Sequence, residues 1–170
     1  MSVATLPIPR SPLVSPVHLA ALALSPLAIG AVVAARTAAP SPIFAVPAIV
    51  LGVIAATGPA LYIASAAVGD APPLATMARA FVAALSAFGI ALAGLVLPTA
   101  FVALTTTEPT TAVATCTAAI AVAALCALRR LARELSPSTL ASAAVYACWS
   151  VATLGIAGRL WWDVASEVLS

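Results

Sequence analysis

This sequence predicts an all-α, polytopic integral membrane protein, a bundle of about five transmembrane helices, and three observations predict it. Five stretches carry no Asp, Glu, Lys or Arg: Ser11–Ala35, Thr37–Gly69, Ala80–Thr107, Pro109–Leu128 and Leu135–Gly158. Each can supply the roughly 20 mostly apolar residues that a membrane-crossing helix needs. The chain is 64% apolar and 7% charged, where soluble domains average about 25% charged residues. Its mean hydropathy is +1.18, and its few charges fall between the apolar stretches rather than inside them.

Residues 1–16 form a separate tail, because Pro7, Pro9, Pro12 and Pro16 forbid a continuous helix there. The tail is expected to be disordered and cytoplasmic. Its Pro9-Arg10-Ser11-Pro12 run matches a PxxP ligand pattern, but a solvated leader is the preferred reading. Residues 17–170 form a single transmembrane helical domain. Its first span runs from Val17 to Ala35, with Pro26 near the middle; a membrane helix tolerates such a proline when neighbours satisfy the freed carbonyl. The competing reading of this segment is a secretory signal cleaved near the small residues Ala34, Ala35, Ala38 and Ala39. The length of the apolar run and of the leader favours a retained span.

The second span runs from Ile43 to Val68, too long to stand upright in a hydrocarbon core of about 30 Å, and Gly58-Pro59 offers a place to bend. Asp70-Ala71-Pro72-Pro73 then turns the chain into a third span, Ala80 to Leu104, with Pro98 in its last third. The fourth covers Thr111 to Leu128. Ser136-Pro137 resembles an N-cap followed by a first-turn proline, so the fifth starts near Thr139 and reaches Leu160.

Orientation follows from the basic residues, all seven of which are Arg. The side richer in Lys and Arg stays cytoplasmic. With the N-terminus inside, Arg10, Arg79, Arg129, Arg130 and Arg133 are cytoplasmic, while Arg36 and Arg159 are outside. The expected topology is N-terminus in, C-terminus out. Arg without Lys, together with abundant Ala, Pro and Gly, is the usage of a GC-rich bacterial genome, so the expected location is a bacterial inner membrane. A net charge of +2 with its basic residues at span ends gives no footprint for nucleic acid.

Candidate functional residues are few. Arg129, Arg130 and Arg133 form the densest charge cluster and suit anionic lipid headgroups or a partner protein. They also serve as a plain topology signal. In the fifth span Ser142, Tyr146, Ser150 and Thr153 share one face with Trp149, and hydroxyls sit better against a helix or cavity than against lipid. Tyr146 and Trp149 are therefore candidates for a ligand-facing or a packing surface. Trp161 and Trp162 are expected to anchor the helix at the headgroup level, with an exposed and weak Arg159–Asp163 pair beside them. Gly89 with Ala93, and Gly52 with Ala56, form small-xxx-small steps that let helices approach closely. The cysteines, Cys116, Cys126 and Cys148, lack redox or zinc spacing and read as small buried residues.

No ionisable residue falls inside a span, and such residues are the usual mark of proton relays and ion paths. His18 stands without a nearby ligand partner. No cofactor, metal or catalytic set is expected. The first functional expectation is a non-catalytic accessory, anchoring or assembly subunit associating with other membrane protein subunits. The alternative is a carrier, channel or binding protein for a lipid or small hydrophobic ligand, suggested by Pro26, Pro47, Pro59 and Pro98. A lipid-modifying enzyme ranks last, since its only polar groups would lie on opposite sides of the membrane.

Overall fold

The computed structural model describes residues 16–37 and 40–169, with side chains for 20–36 and 40–169. The tail with its PxxP pattern and Arg10, the side chain of His18, and Ala38 and Ala39 lie outside the described residues. The described residues form five helices: α1 Pro16–Thr37, α2 Ser41–Ala67, α3 Leu74–Thr105, α4 Pro109–Leu135 and α5 Leu140–Leu169. Helices α2 to α5 are long and apolar enough to cross a membrane, and α1 carries the shorter apolar stretch Ala20–Arg36. The molecule is thus all-α and multi-pass.

Three of these helices have a proline in their first turn, Pro16 being the first residue of α1. Pro42 and Pro109 occupy first-turn positions of α2 and α4, where the missing N–H has no intrahelical partner to lose. Pro26, Pro47, Pro59 and Pro98 lie within helices that continue past them. Polar residues survive in the apolar spans by bonding to their own helix. Thr57, Ser86, Thr115 and Thr117 each donate to the carbonyl four residues back, at 2.7–2.8 Å, so these four hydroxyl protons are not presented bare to lipid.

At one end of the bundle, α2 is followed by Gly69, whose φ of +74° is a left-handed conformation that favours glycine. The Gly69 N–H donates to the Ala66 carbonyl at 3.0 Å and the Asp70 N–H to the Ser65 carbonyl at 3.0 Å. The α4–α5 turn departs from the sequence expectation. Ser136 is not the N-cap of α5 but the left-handed C-cap of α4 (φ 42°). The cap belongs to Thr139, whose Oγ1 accepts the Ser142 N–H at 3.1 Å while Ser142 Oγ accepts the Thr139 N–H at 3.1 Å. This is a reciprocal capping box with serine in the usual glutamate place. Asp70 joins the two turns: its carboxylate accepts the Ser138 N–H at 3.2 Å and the Ser138 hydroxyl at 2.9 Å.

Helix α1 packs extensively on α2 and α3, and α3 packs most extensively of all on α4. Its Ser25, Pro26, Ile29, Val32 and Val33 are buried. The close contact with α3 occurs at Gly89, where an added Cβ would lie 2.7 Å from the backbone of Leu22. Ser25 Oγ bonds the carbonyls of Ala21 (2.7 Å) and Gly89 (3.2 Å), tying the crossing together. Gly30 plays the same part against α2, since a Cβ there would fall 2.4 Å from the Pro42 carbonyl oxygen. Gly52 has nothing within 4 Å of its Cβ position, and Ala56 and Ala93 are exposed. Of the expected small-residue steps, only Gly89 is therefore a helix contact.

The buried core divides by level. One cluster joins Ile29 and Val33 of α1 to Val46, Phe88, Leu92, Cys116, Ala123 and Trp161. The other, nearer the Asp70–Ser138 link, joins Leu61, Met77, Ala80, Ala84 and Leu131. Arg36, Ala103, Ala112 and Val168 meet around a small void at the opposite end, so successive helices alternate in direction.

Candidate functional site

Two helix pairs, α3 with α4 and α2 with α5, face each other, while α4 and α5 touch only lightly. Between the pairs lies a cleft of about 230 Å³. Val46, Val50 and Val53 of α2, Phe81, Ala84 and Phe88 of α3, Ala121, Ala124 and Leu128 of α4, and Trp149, Leu154, Gly158 and Trp161 of α5 line it. Among the described residues no charged side chain lines it, and its polar contribution comes from Thr117, Thr153 and the two indoles. Ala121 on α4 and Leu154 and Gly158 on α5 line the cleft and are also exposed, which opens it sideways between α4 and α5.

The inward face of α5 is built by hydrogen bonds that reach two other helices. Trp149 Nε1 donates to the Thr57 carbonyl of α2 at 2.7 Å, and Thr153 Oγ1 donates to Thr57 Oγ1 at 3.3 Å. Tyr146 donates its hydroxyl to the Leu128 carbonyl of α4. Trp149 also meets Phe81 edge to face, with centroids 5.9 Å apart and planes at 73°, a preferred aromatic arrangement. Trp161 Nε1 donates to Thr117 Oγ1 of α4 at 2.8 Å. Trp149 and Trp161, three helical turns apart, therefore bound the cleft along about 18 Å of α5 at 1.5 Å per residue.

Each residue singled out by sequence has a place. Trp149 lines the cleft; Tyr146 stands beside it (centroids 6.1 Å apart) but outside the lining. Ser142 is buried and also closes the α5 cap, and the Ser150 hydroxyl oxygen is buried. The tandem tryptophans separate: Trp162 is 53% exposed, as an interface anchor requires, whereas Trp161 is 8% exposed and held inside by Thr117. Adjacent helical residues point about 100° apart, so one face cannot hold both. Arg129, Arg130 and Arg133 are exposed on α4 near the Asp70–Ser138 end. Arg130 pairs with Glu134 at 2.6 Å, and the cluster does not enter the cleft. The expected Arg159–Asp163 pair forms at 3.3 Å on the exposed surface. Of the cysteines, Cys116 is buried, but Cys126 and Cys148 are exposed, which corrects the expectation of three buried residues. An apolar surface facing lipid accepts a thiol as readily as the interior does.

Sequence reasoning missed Thr57, Thr117, Phe81 and Gly158. Thr57 adjoins the Gly58-Pro59 pair, which marked the place without marking its role. The others have no local signal, because their importance comes from what faces them across the cleft. The chain matches no family model, no curated protein and no solved structure among those compared.

Proposed function

We propose that this is a small non-catalytic membrane protein that binds a lipid or another hydrophobic molecule in the cleft between its two helix pairs. The cleft of about 230 Å³ with its apolar lining is the observation that carries this reading, because core voids in a well-packed bundle are few and small. It raises the second of the two sequence expectations above the first. Binding would draw on apolar contact rather than on charge, in keeping with the mostly apolar character of small-molecule sites.

Photolabelling of the full chain in nanodiscs with a small neutral diazirine tests this. Labels concentrated at Phe81, Ala124 and Trp149, and lost in Trp149→Ala protein that remains inserted and abundant, support the reading. Labels spread evenly over the outward residues Leu97 and Phe101 contradict it.

The accessory-subunit reading draws support from the outer face of α5. Val151 is 72% exposed there, and a Cβ at Gly155 would meet nothing within 4 Å, room in which a helix of another subunit could pack closely. Arg129 and Arg133, which have no ion-pair partner among the described residues, would add about 1 kcal/mol each on anionic headgroups. With Arg79 they lie toward the Asp70–Ser138 end, and the positive-inside rule assigns that end to the cytoplasm. A bacterial inner membrane with the N-terminus inside remains the proposed location.

A further inference from the structure

We infer that the occupant of the cleft is the hydrocarbon chain of a bilayer lipid, admitted sideways between α4 and α5 and selected without regard to its headgroup. The inference rests on the reading of the cleft as a binding site, and it narrows that reading to one ligand chemistry by an inventory of hydrogen-bond donors. Every side-chain donor in the lining is already spent within the protein. The Thr117 hydroxyl donates to the Val113 carbonyl at 2.7 Å and accepts from Trp161 Nε1 at 2.8 Å. The Trp149 indole and the Thr153 hydroxyl are both committed to Thr57.

A ligand group that must accept a hydrogen bond would give up its bonds to water in this space and find no free side-chain donor in exchange, at a cost of about 1–3 kcal/mol per group. A methylene chain gives up none. Since no charge lines the cleft among the described residues, nothing there distinguishes a zwitterionic from an anionic headgroup. The lateral opening gives the chain its route. Ala121 of α4 and Gly158 of α5 are small, and both are exposed while lining the cleft. The Cβ position of Gly158 has nothing within 4 Å, so this part of the wall is open to a chain arriving from the bilayer and needs no opening motion.

Tryptophan quenching by phospholipids brominated on the acyl chain tests the inference. The full chain carrying Trp162→Phe is reconstituted in nanodiscs, leaving only Trp149 and Trp161, which bound the cleft. Strong quenching is expected, equal for brominated phosphatidylcholine and phosphatidylglycerol. Gly158→Leu or Ala121→Leu, each placed on this background to fill the opening from a different helix, should abolish it with helix content and elution unchanged. Gly155→Leu, outside the lining, should leave it intact. Absence of quenching in the parent, or quenching that persists in both filled variants, overturns the inference. So does quenching that falls as protein is added at fixed lipid, which would identify a second copy as the occupant. If the small diazirine labels the cleft while brominated chains do not quench, the binding-site reading stands and the lipid chain is excluded.

Discussion

Glycine positions show how far single residues set this fold. Gly89→Leu should lower thermal stability in detergent by more than the ~1–3 kcal/mol usual for overpacking, because the obstructing atoms at 2.7 Å are backbone and cannot rotate away. Gly52→Leu, with open space at its Cβ, should leave the melting temperature unchanged, and equal effects at the two sites would remove this account of the α1–α3 crossing. Gly69→Ala should cost ~1–2 kcal/mol for its left-handed backbone alone, since nothing lies within 4 Å of that Cβ position. Asp70 predicts a pH dependence. Hydrogen bonding from Ser142 foremost, then from the Ser138 N–H and hydroxyl, holds its carboxyl below the ordinary value of 3.8. A carboxyl lowered on folding stabilises the protein above its unfolded pKa, and that contribution is lost as pH falls through the lowered value. Wild type should therefore exceed Asp70→Asn in melting temperature at neutral pH, and the gap should close on acidification below about 3.8. A gap that is constant with pH would refute the role of the charge.

At the scale of elements, what the sequence made legible follows from how local each cause is. The spans could be read because apolar length is a property of one segment. So could the inward turn of the Tyr146–Trp149–Thr153 face, since helical spacing alone places those residues together. Gly30 could not be read as a contact, because its role depends on where Pro42 returns the chain. Trp161 was hidden for the same reason: its burial depends on Thr117, which is on another helix. Trp161→Phe keeps an aromatic ring but removes the N–H bond and part of the buried indole, so it should cost at least ~0.5–1.5 kcal/mol. Trp162→Phe should cost less, since its exposed ring makes no such bond. Denaturation in detergent compares the two, and a larger loss at Trp162 would reverse the assignment of inner and outer faces.

For the whole molecule, α1 is the helix that joins α2 to α3. It packs on both α2 and α3 and contributes Ile29, Val32 and Val33 to the larger core cluster. A chain cleaved after Ala35 would lose those contacts and expose the bare backbone of Gly89, and we propose that α1 is retained. A protein tagged before residue 16 should keep its tag in the purified membrane form, and recovery of only a shortened chain would contradict retention. The cleft exists because α4 and α5 pack lightly while each is held firmly by another partner, and its function rests on whether it is filled. The most direct test is native mass spectrometry of the full protein released from its own membrane in mild detergent, beside its Gly158→Leu variant. The account predicts adducts of lipid mass on the wild-type chain, spread over several headgroups and lost in the variant. A wild-type chain free of adducts, or adducts equally abundant in both proteins, would contradict it.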